Sequence, residues 1–193
     1  ITGGGRGIGA ACARAFAEAG ADVVLAARTQ SQLDAVASDI KAMGRRALIV
    51  VTDVMEEEQL QRLVDATIEE FGRLDILVNN AGGFPPKPMA DTSLKEFDAA
   101  FRFNVSTAFA LTRIATPHLA AGDEAGSVIN ISSIAGHAPS SWFTAYGTAK
   151  SSLSYLSQVM AQELAPRIRV NAIAVGSTKT DALNTVLTPE IEK

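Results

Sequence analysis

Short apolar runs alternate along the chain with longer stretches in which apolar residues recur every three or four positions, and this alternation predicts a parallel α/β sheet. Residues 23–27, 47–52, 74–78, 128–131 and 168–174 read as strands. Residues 8–19, 31–43, 56–71 and 144–164 read as helices, and 94–121 reads as mostly helical with a break near Asn104. Ser31 is a candidate N-cap, while Gly44 and Gly72 supply the residue type that stops a helix. Pro85, Pro86 and Pro88 fall between Gly82 and Thr92, so that stretch is expected to be a loop that continues neither strand nor helix. No internal repeat or low-complexity stretch interrupts the alternation. A single α/β domain over residues 1–193 follows as the expectation.

Chemistry enters with Tyr146-Gly147-Thr148-Ala149-Lys150, because a phenol and an ammonium four residues apart lie on one face of a helix, one turn from each other. A free phenol titrates near ~10, and bringing it to neutrality requires about 4 kcal/mol of preferential phenolate stabilisation. A nearby ammonium in a partly desolvated cleft, aided by a cationic nicotinamide ring, is a source of the right kind. Ser133, in Asn130-Ile131-Ser132-Ser133, can hold a carbonyl or alcohol oxygen by hydrogen bonding without changing charge. Such a set suits proton transfer coupled to hydride transfer. The chain also opens on Thr2-Gly3-Gly4-Gly5-Arg6-Gly7-Ile8-Gly9, where Gly3, Gly7 and Gly9 allow a tight turn and close backbone approach. That turn leads into the helix from Ile8, so a cofactor pyrophosphate would sit at the helix N-terminus.

These segments, together with Asn79-Asn80-Ala81-Gly82, Asn104 and Arg169-Val170-Asn171-Ala172, occur in one order over nearly the whole chain. In that order they resemble the short-chain dehydrogenase/reductase family. The resemblance implies a Rossmann-type doubly wound parallel sheet flanked by helices, and hydride transfer between a nicotinamide cofactor and a carbonyl or secondary alcohol. It implies that Tyr146 is the general acid/base, Ser133 orients the substrate oxygen, Lys150 lowers the tyrosine pKa and holds the nicotinamide ribose, and Asn104 supports a proton-relay water. It further implies cofactor contacts from Gly3, Gly5, Arg6, Gly7, Ile8, Gly9, Asp53, Val54, Asn80, Ala81, Gly82, Tyr146, Lys150, Gly176 and Thr180. Where the family usually carries a Pro-Gly pair after Arg169-Val170-Asn171, this chain has Val175-Gly176, which removes a φ lock before Thr180.

Cofactor choice should be written at the end of the second strand, where an acidic residue would take the ribose hydroxyls of NAD and repel a 2′-phosphate. The positions there hold Ala27 and Arg28, and Asp22 stands at the other end of the strand. Arg28 with Arg6 can clamp a phosphate dianion through charge-assisted hydrogen bonds. NADP(H) is therefore expected ahead of NAD(H). Asp53 also reads as an ordinary helix cap.

Other residues have plainer readings. His118, beside Pro117, reads as a surface or capping residue, and two histidines with one cysteine make no metal site. His137, in the loop after Ser133, is a candidate ligand contact. Trp142 and Phe143, just before the tyrosine helix, would give the pocket an apolar wall and so admit a bulky, hydrophobic substrate. The segments Asn79-Asn80-Ala81-Gly82-Gly83 with Pro86-Lys87-Pro88, and Thr180-Asp181-Ala182-Leu183 with Thr188-Pro189-Glu190-Ile191-Glu192, look like bacterial 7α-hydroxysteroid dehydrogenases. The remainder looks equally like 3-oxoacyl-[acyl-carrier-protein] reductases. The alternative from another class, a nucleotide-binding sensor or scaffold without turnover, would normally have lost the tyrosine or the lysine.

A net charge of -4 and a pI near 5.2 disfavour nucleic acid as the main partner. No apolar run has the length of a membrane span, and no signal-peptide pattern is present. One cysteine, Cys12, cannot form an internal disulfide, which fits a reducing compartment, and a cytoplasmic location is expected. The family resemblance adds a homo-oligomer, tetramer or dimer, built on the helices 104–121 and 144–164, with Ser151, Ser154 and Ala161 permitting close approach, a pattern that equally serves an intramolecular contact against the sheet. It also implies roughly a strand's worth of chain before Ile1, and a further helix and strand after Lys193.

Overall fold

The computed structural model describes residues 1–178 and residue 180. In chain order the elements are α1 (Gly7–Glu18), β1 (Val23–Ala27), α2 (Gln30–Ala42), β2 (Ala47–Val51), α3 (Glu57–Phe71), β3 (Ile76–Asn79), α4 (Leu94–Phe101), α5 (Thr107–Leu119), β4 (Gly126–Ser133), α6 (Thr144–Leu164) and β5 (Ile168–Val175). All strand pairings among them are parallel: β1 with β2, β3 with β4, and β4 with β5. The N-terminal residues join these two groups. Ala26 N–H donates to Ile1 C=O at 3.0 Å, and Thr2 N–H donates to Val78 C=O at 3.0 Å, so the chain start lies between β1 and β3. The strand order is that of a doubly wound Rossmann-type sheet, reversing direction of growth at the glycine turn.

Strand alternation sorts the core onto two faces. Val23 and Leu25 of β1 pack with Ala10, Ala13, Leu33 and Ile40 of α1 and α2. Ala26 belongs to the opposite cluster, with Leu60, Val64, Leu111, Ala115 and Met160 of α3, α5 and α6. Both faces are covered by helices, which is why β1 reads as one apolar run.

Several local outcomes differ from the sequence reading, β3 for instance spanning Ile76–Asn79 rather than 74–78. Helix α2 begins one residue earlier than expected, with Thr29 rather than Ser31 at the N-cap, and Thr29 makes no side-chain cap bond. Strand β4 extends to Ser132 and Ser133, because β5 pairs along its whole length and carries these polar residues into the ladder. The break near Asn104 is a π-helical turn over Arg102–Ser106 that connects α4 to α5 without ending the helix. The proline-rich loop contains one short 3₁₀ turn, Met89–Asp91, and delivers Ser93 and Glu96 as a reciprocal capping box on α4.

Candidate active site

The candidate loop segments emerge at the carboxyl ends of the parallel strands, while Asn104 sits in the π turn and Tyr146 and Lys150 on α6. The glycine turn follows the chain start, Arg28 follows β1, Asp53 follows β2, Asn80 to Gly83 follow β3, Ser133 ends β4 and Gly176 follows β5. Ligands of open α/β sheets bind outside these ends, at the switch point.

The glycine turn is closed to side chains by direct geometry. A β-carbon on Gly9 would lie 2.2 Å from Gly3 O and 2.6 Å from Asn80 Nδ2, and one on Gly5 would lie 2.9 Å from Gln32 Cβ. Thr180 faces the same turn, its Cγ2 being 3.3 Å from a β-carbon placed on Gly7. The result is a bare backbone cradle at the start of α1, of the kind a pyrophosphate occupies, so these residues fit a dinucleotide. Arg6 is the N-cap of α1 and Arg28 the first residue after β1; both are exposed, and among the described residues neither is paired with a carboxylate. The packing of Gly5 on Gln32, in the first turn of α2, brings the glycine turn to the corner of the fold that Arg28 enters. Gln32 carries no motif, and only this contact reveals it.

The two asparagines brace the sheet. Asn79 Nδ2 donates to Asn130 Oδ1 at 2.8 Å and Thr112 Oγ1 at 3.0 Å, tying β3 to β4 and α5. Asn80 Nδ2 donates to Thr2 O at 2.8 Å, while Thr2 Oγ1 accepts from the Asn80 and Ala81 N–H groups, both at 3.0 Å. Asp53 accepts from Met55 N–H at 3.0 Å in a local turn, beside buried Val54, so its carboxylate shapes the loop before α3.

Tyr146 and Lys150 are one turn apart on α6, with Lys150 Nζ 5.7 Å from the Tyr146 ring centroid. Lys150 is buried, and its Nζ donates to Ile131 C=O at 2.7 Å, two residues before Ser133. Asn104, buried in the π turn, clasps Gly83: Gly83 N–H donates to Oδ1 at 2.8 Å and Nδ2 returns a bond to Gly83 C=O at 3.1 Å. Its other amide proton goes to Ala100 C=O at 2.9 Å, which spends both side-chain donors on backbone. A β-carbon on Gly82 would fall 2.8 Å from Asn104 Oδ1 and 3.1 Å from Lys150 Nζ, so Asn104, Gly82 and Lys150 form one contact. The structure thus brings together Asn104, Lys150, Tyr146 and Ser133 from the π turn, α6 and the end of β4.

The electrostatics depart from the simplest expectation. Burial raises the Tyr146 phenol above its ordinary value near 10, and a hydrogen bond from Ser133 opposes that rise. The ammonium of Lys150 is itself desolvated, with its pKa brought down to about 8. Desolvation outweighs the Ser133 hydrogen bond at the phenol, and the Lys150 ammonium is bonded to Ile131 C=O.

A lysine whose folded pKa lies below its unfolded value near 10.5 costs stability in full below about pH 8, and that cost fades as pH rises towards 10.5. The raised phenol adds its own cost only above about 10. Between pH 7 and 9.5, without added nucleotide, unfolding free energy should therefore rise by about 2 kcal/mol more in the unaltered protein than in Lys150→Met. Denaturant titrations of both at the two pH values measure this difference.

The loops above the site carry apolar surface. Ile134 and Trp142 are 55% and 53% exposed, and the Phe143 ring lies 6.0 Å from the Tyr146 ring. Trp142 holds a left-handed backbone, φ 70°, and its carbonyl accepts from Lys87 N–H at 2.8 Å, joining this loop to the proline-rich one. Strain of this kind persists where surrounding contacts enforce it. Lys87 is in turn paired to Glu96 at 2.7 Å, which holds that carboxylate near pKa 2. His137 reaches Ser154 instead of facing outward alone. Ser154 is buried against β4, so of the two contacts its pattern allows it serves the intramolecular one against the sheet.

A family profile described as short chain dehydrogenase matches residues 1–190. The chain belongs to the short-chain dehydrogenases. It is 39% identical over 194 residues to the 7α-hydroxysteroid dehydrogenase of Escherichia coli K12, covering 100% of this chain and 75% of the relative. An uncharacterized oxidoreductase of Mycobacterium tuberculosis (strain CDC 1551 / Oshkosh) is 52% identical over 186 residues, covering 96% of this chain and 71% of the relative. The solved structure of a 7α-hydroxysteroid dehydrogenase complexed with NADH and 7-oxo glycochenodeoxycholic acid superposes with TM-score 0.95 at 39% identity, covering 100% of this chain and 75% of that one. As a short-chain dehydrogenase, the protein is an oxidoreductase acting on CH–OH groups and uses a nicotinamide cofactor. No helix among its described residues is long and apolar enough to cross a membrane, and no metal-binding cluster is found among them. The second hydroxysteroid-like segment, beyond Thr180, lies outside the described residues.

Proposed function

We propose that this short-chain dehydrogenase interconverts a bulky, apolar carbonyl compound and its secondary alcohol with NADP(H), in the manner of a hydroxysteroid or 3-oxoacyl oxidoreductase. The observation that carries the reading is the convergence of Ser133, Tyr146 and Lys150 beneath a rim containing exposed Ile134 and Trp142. The 39% identity to a 7α-hydroxysteroid dehydrogenase supports the steroid-sized end of that range. When bound, the cofactor supplies or accepts the hydride and a positive ring charge. Ser133 holds the substrate oxygen, and Tyr146 gives or takes its proton. Lys150 anchors the ribose and biases the phenol towards the phenolate once a second positive charge shares the cleft. Asn104 acts by holding Gly82 and Gly83 where the cofactor and Lys150 pass, rather than through its own side-chain donors. A homo-oligomer formed through the outer faces of α5 and α6 is supported by exposed Phe109 and Tyr155. The protein is proposed to work in the cytoplasm as one α/β domain.

NADP(H) preference rests on Arg6 and Arg28 and on the absence of an acid at Ala27. Arg28→Ala is expected to weaken NADPH binding roughly tenfold or more while changing NADH binding little, the loss expected of a charge-assisted phosphate contact. Fluorescence titration with both nucleotides measures it. The reaction itself is tested by NADPH-dependent reduction of a panel of 7-oxo bile acids, 3-oxoacyl thioesters and small ketones. Turnover confined to small polar ketones would overturn the apolar-substrate reading, and tighter NADH than NADPH binding would overturn the phosphate clamp.

A further inference from the structure

The loop that follows Ser133 touches α6 backbone to backbone. A β-carbon on Gly136 would lie 2.6 Å from Ser151 N and 2.7 Å from Lys150 C, and one on Gly147 would lie 2.7 Å from Ala135 O. Two glycines therefore let the loop seat directly on the turns that carry Tyr146 and Lys150. One turn further along, a side chain closes the same contact: His137 Nε2 is 3.1 Å from Ser154 Oγ. Ser154 Oγ is 2.7 Å from Ser132 Oγ, and both hydroxyls lie within reach of Lys150 C=O, at 3.1 and 2.9 Å. These four contacts join the residue before Ser133 to the backbone of Lys150.

Counting protons fixes the histidine's part. Two hydroxyls supply two hydrogen-bonding protons to the four contacts. If His137 accepts, Ser154 must turn its proton outward and only two bonds form. If His137 donates, Ser154 accepts from it and keeps its own proton for Ser132 or Lys150 C=O, giving one more bond. Burial of Ser132 and Ser154, at 2% and 6% exposure, makes the extra bond count.

We infer that His137 is a positioning residue that, by donating from Nε2 to Ser154, fastens the Ser133 loop to the helix carrying Tyr146 and Lys150. It touches no reacting atom. It sets the separation of Ser133 from Tyr146, which a substrate oxygen must bridge. The inference rests on the proposed roles of Ser133 and Tyr146.

The test compares His137→Leu, His137→Gln and His137→Asn with the unaltered protein and with Tyr146→Phe, using NADPH and the carbonyl of the panel that turns over fastest. His137→Leu is expected to lower kcat between about ten- and a hundredfold, as a displacement of catalytic groups does, with NADPH affinity unchanged within about twofold. Glutamine can place an N–H donor where Nε2 stands, whereas asparagine is too short. His137→Gln should therefore recover most of the lost kcat and His137→Asn should not. Wild-type kcat in His137→Leu, or equal losses in Leu and Gln, would overturn the inference while Tyr146→Phe remains inactive. An active Tyr146→Phe, or no reduction of any panel carbonyl by the unaltered protein, would instead overturn the catalytic reading and this inference with it.

Discussion

Tyr146→Phe is expected to lower kcat by roughly a thousandfold or more while NADPH affinity stays within a few-fold. The substitution removes one oxygen and leaves the ring, which packs 6.0 Å from Phe143 and stays within 5.7 Å of Lys150 Nζ. Packing is thus preserved and only the transferable proton is lost. The phenol's environment explains why nothing nearby substitutes for it. Ser133 can hydrogen bond but has no accessible second charge state, and Asn104 has spent both side-chain donors on Gly83 and Ala100. Lys150 titrates at about 8 but bonds Ile131 C=O. Steady-state kinetics together with fluorescence titration separate the two quantities. A variant retaining a tenth of wild-type kcat would require another acid at the site.

Gly9→Ala is expected to be strongly destructive. The new methyl would sit 2.2 Å from Gly3 O, 2.6 Å from Asn80 Nδ2 and 2.8 Å from Gly3 C. Two of these atoms are backbone of the glycine turn itself, so no rotamer change relieves them. Moving Asn80 would break its bonds to Thr2 O at 2.8 Å and Gly3 O at 3.3 Å, which tie the turn to the end of β3. The turn must open, and opening it removes the cradle at the start of α1. Overpacking of this severity costs at least about 3 kcal/mol, equivalent to a fall in Tm of roughly 6–12 °C at this chain length. NADPH binding should be lost as well. Gly122→Ala, which meets only Glu124 O at 3.5 Å, is the matched control and should change Tm by less than about 2 °C. Thermal unfolding with and without NADPH reads both effects.

Much of this molecule is legible from residue order. Helix α6 occupies the span its pattern predicts, and β1 likewise, because each is long enough or apolar enough for local preference and burial to agree. Strand β4 was underestimated because Ser132 and Ser133 look like loop residues; the hydrogen bonds of β5, more than forty positions away, make them strand. Helix α2 starts one residue early, since Thr29 and Ser31 are both cap-type residues and local preference does not choose between them; Thr29 takes the N-cap position with extended backbone and no side-chain cap bond. Ser154 reads two ways in the sequence, because a small polar residue on a helix looks the same whether it faces a partner subunit or the sheet, and its contact with buried Ser132 decides for the sheet.

The sequence by itself determined the family and which side chains are candidates: a glycine turn, a serine, and a tyrosine and lysine one helical turn apart stand in the order the short-chain dehydrogenases share, and the roles proposed for them rest on that likeness. The sheet's alternation of apolar runs and helices was equally local. What only the tertiary structure decided is the environment of those groups. It buried Lys150 against Ile131 C=O and spent the Asn104 amide on Gly83 and Ala100. It also seated the Ser133 loop on α6 through Gly136, Gly147 and His137. The physical reason is that desolvation and hydrogen-bond satisfaction depend on which distant segments close over a group, and no spacing within one segment encodes that closure.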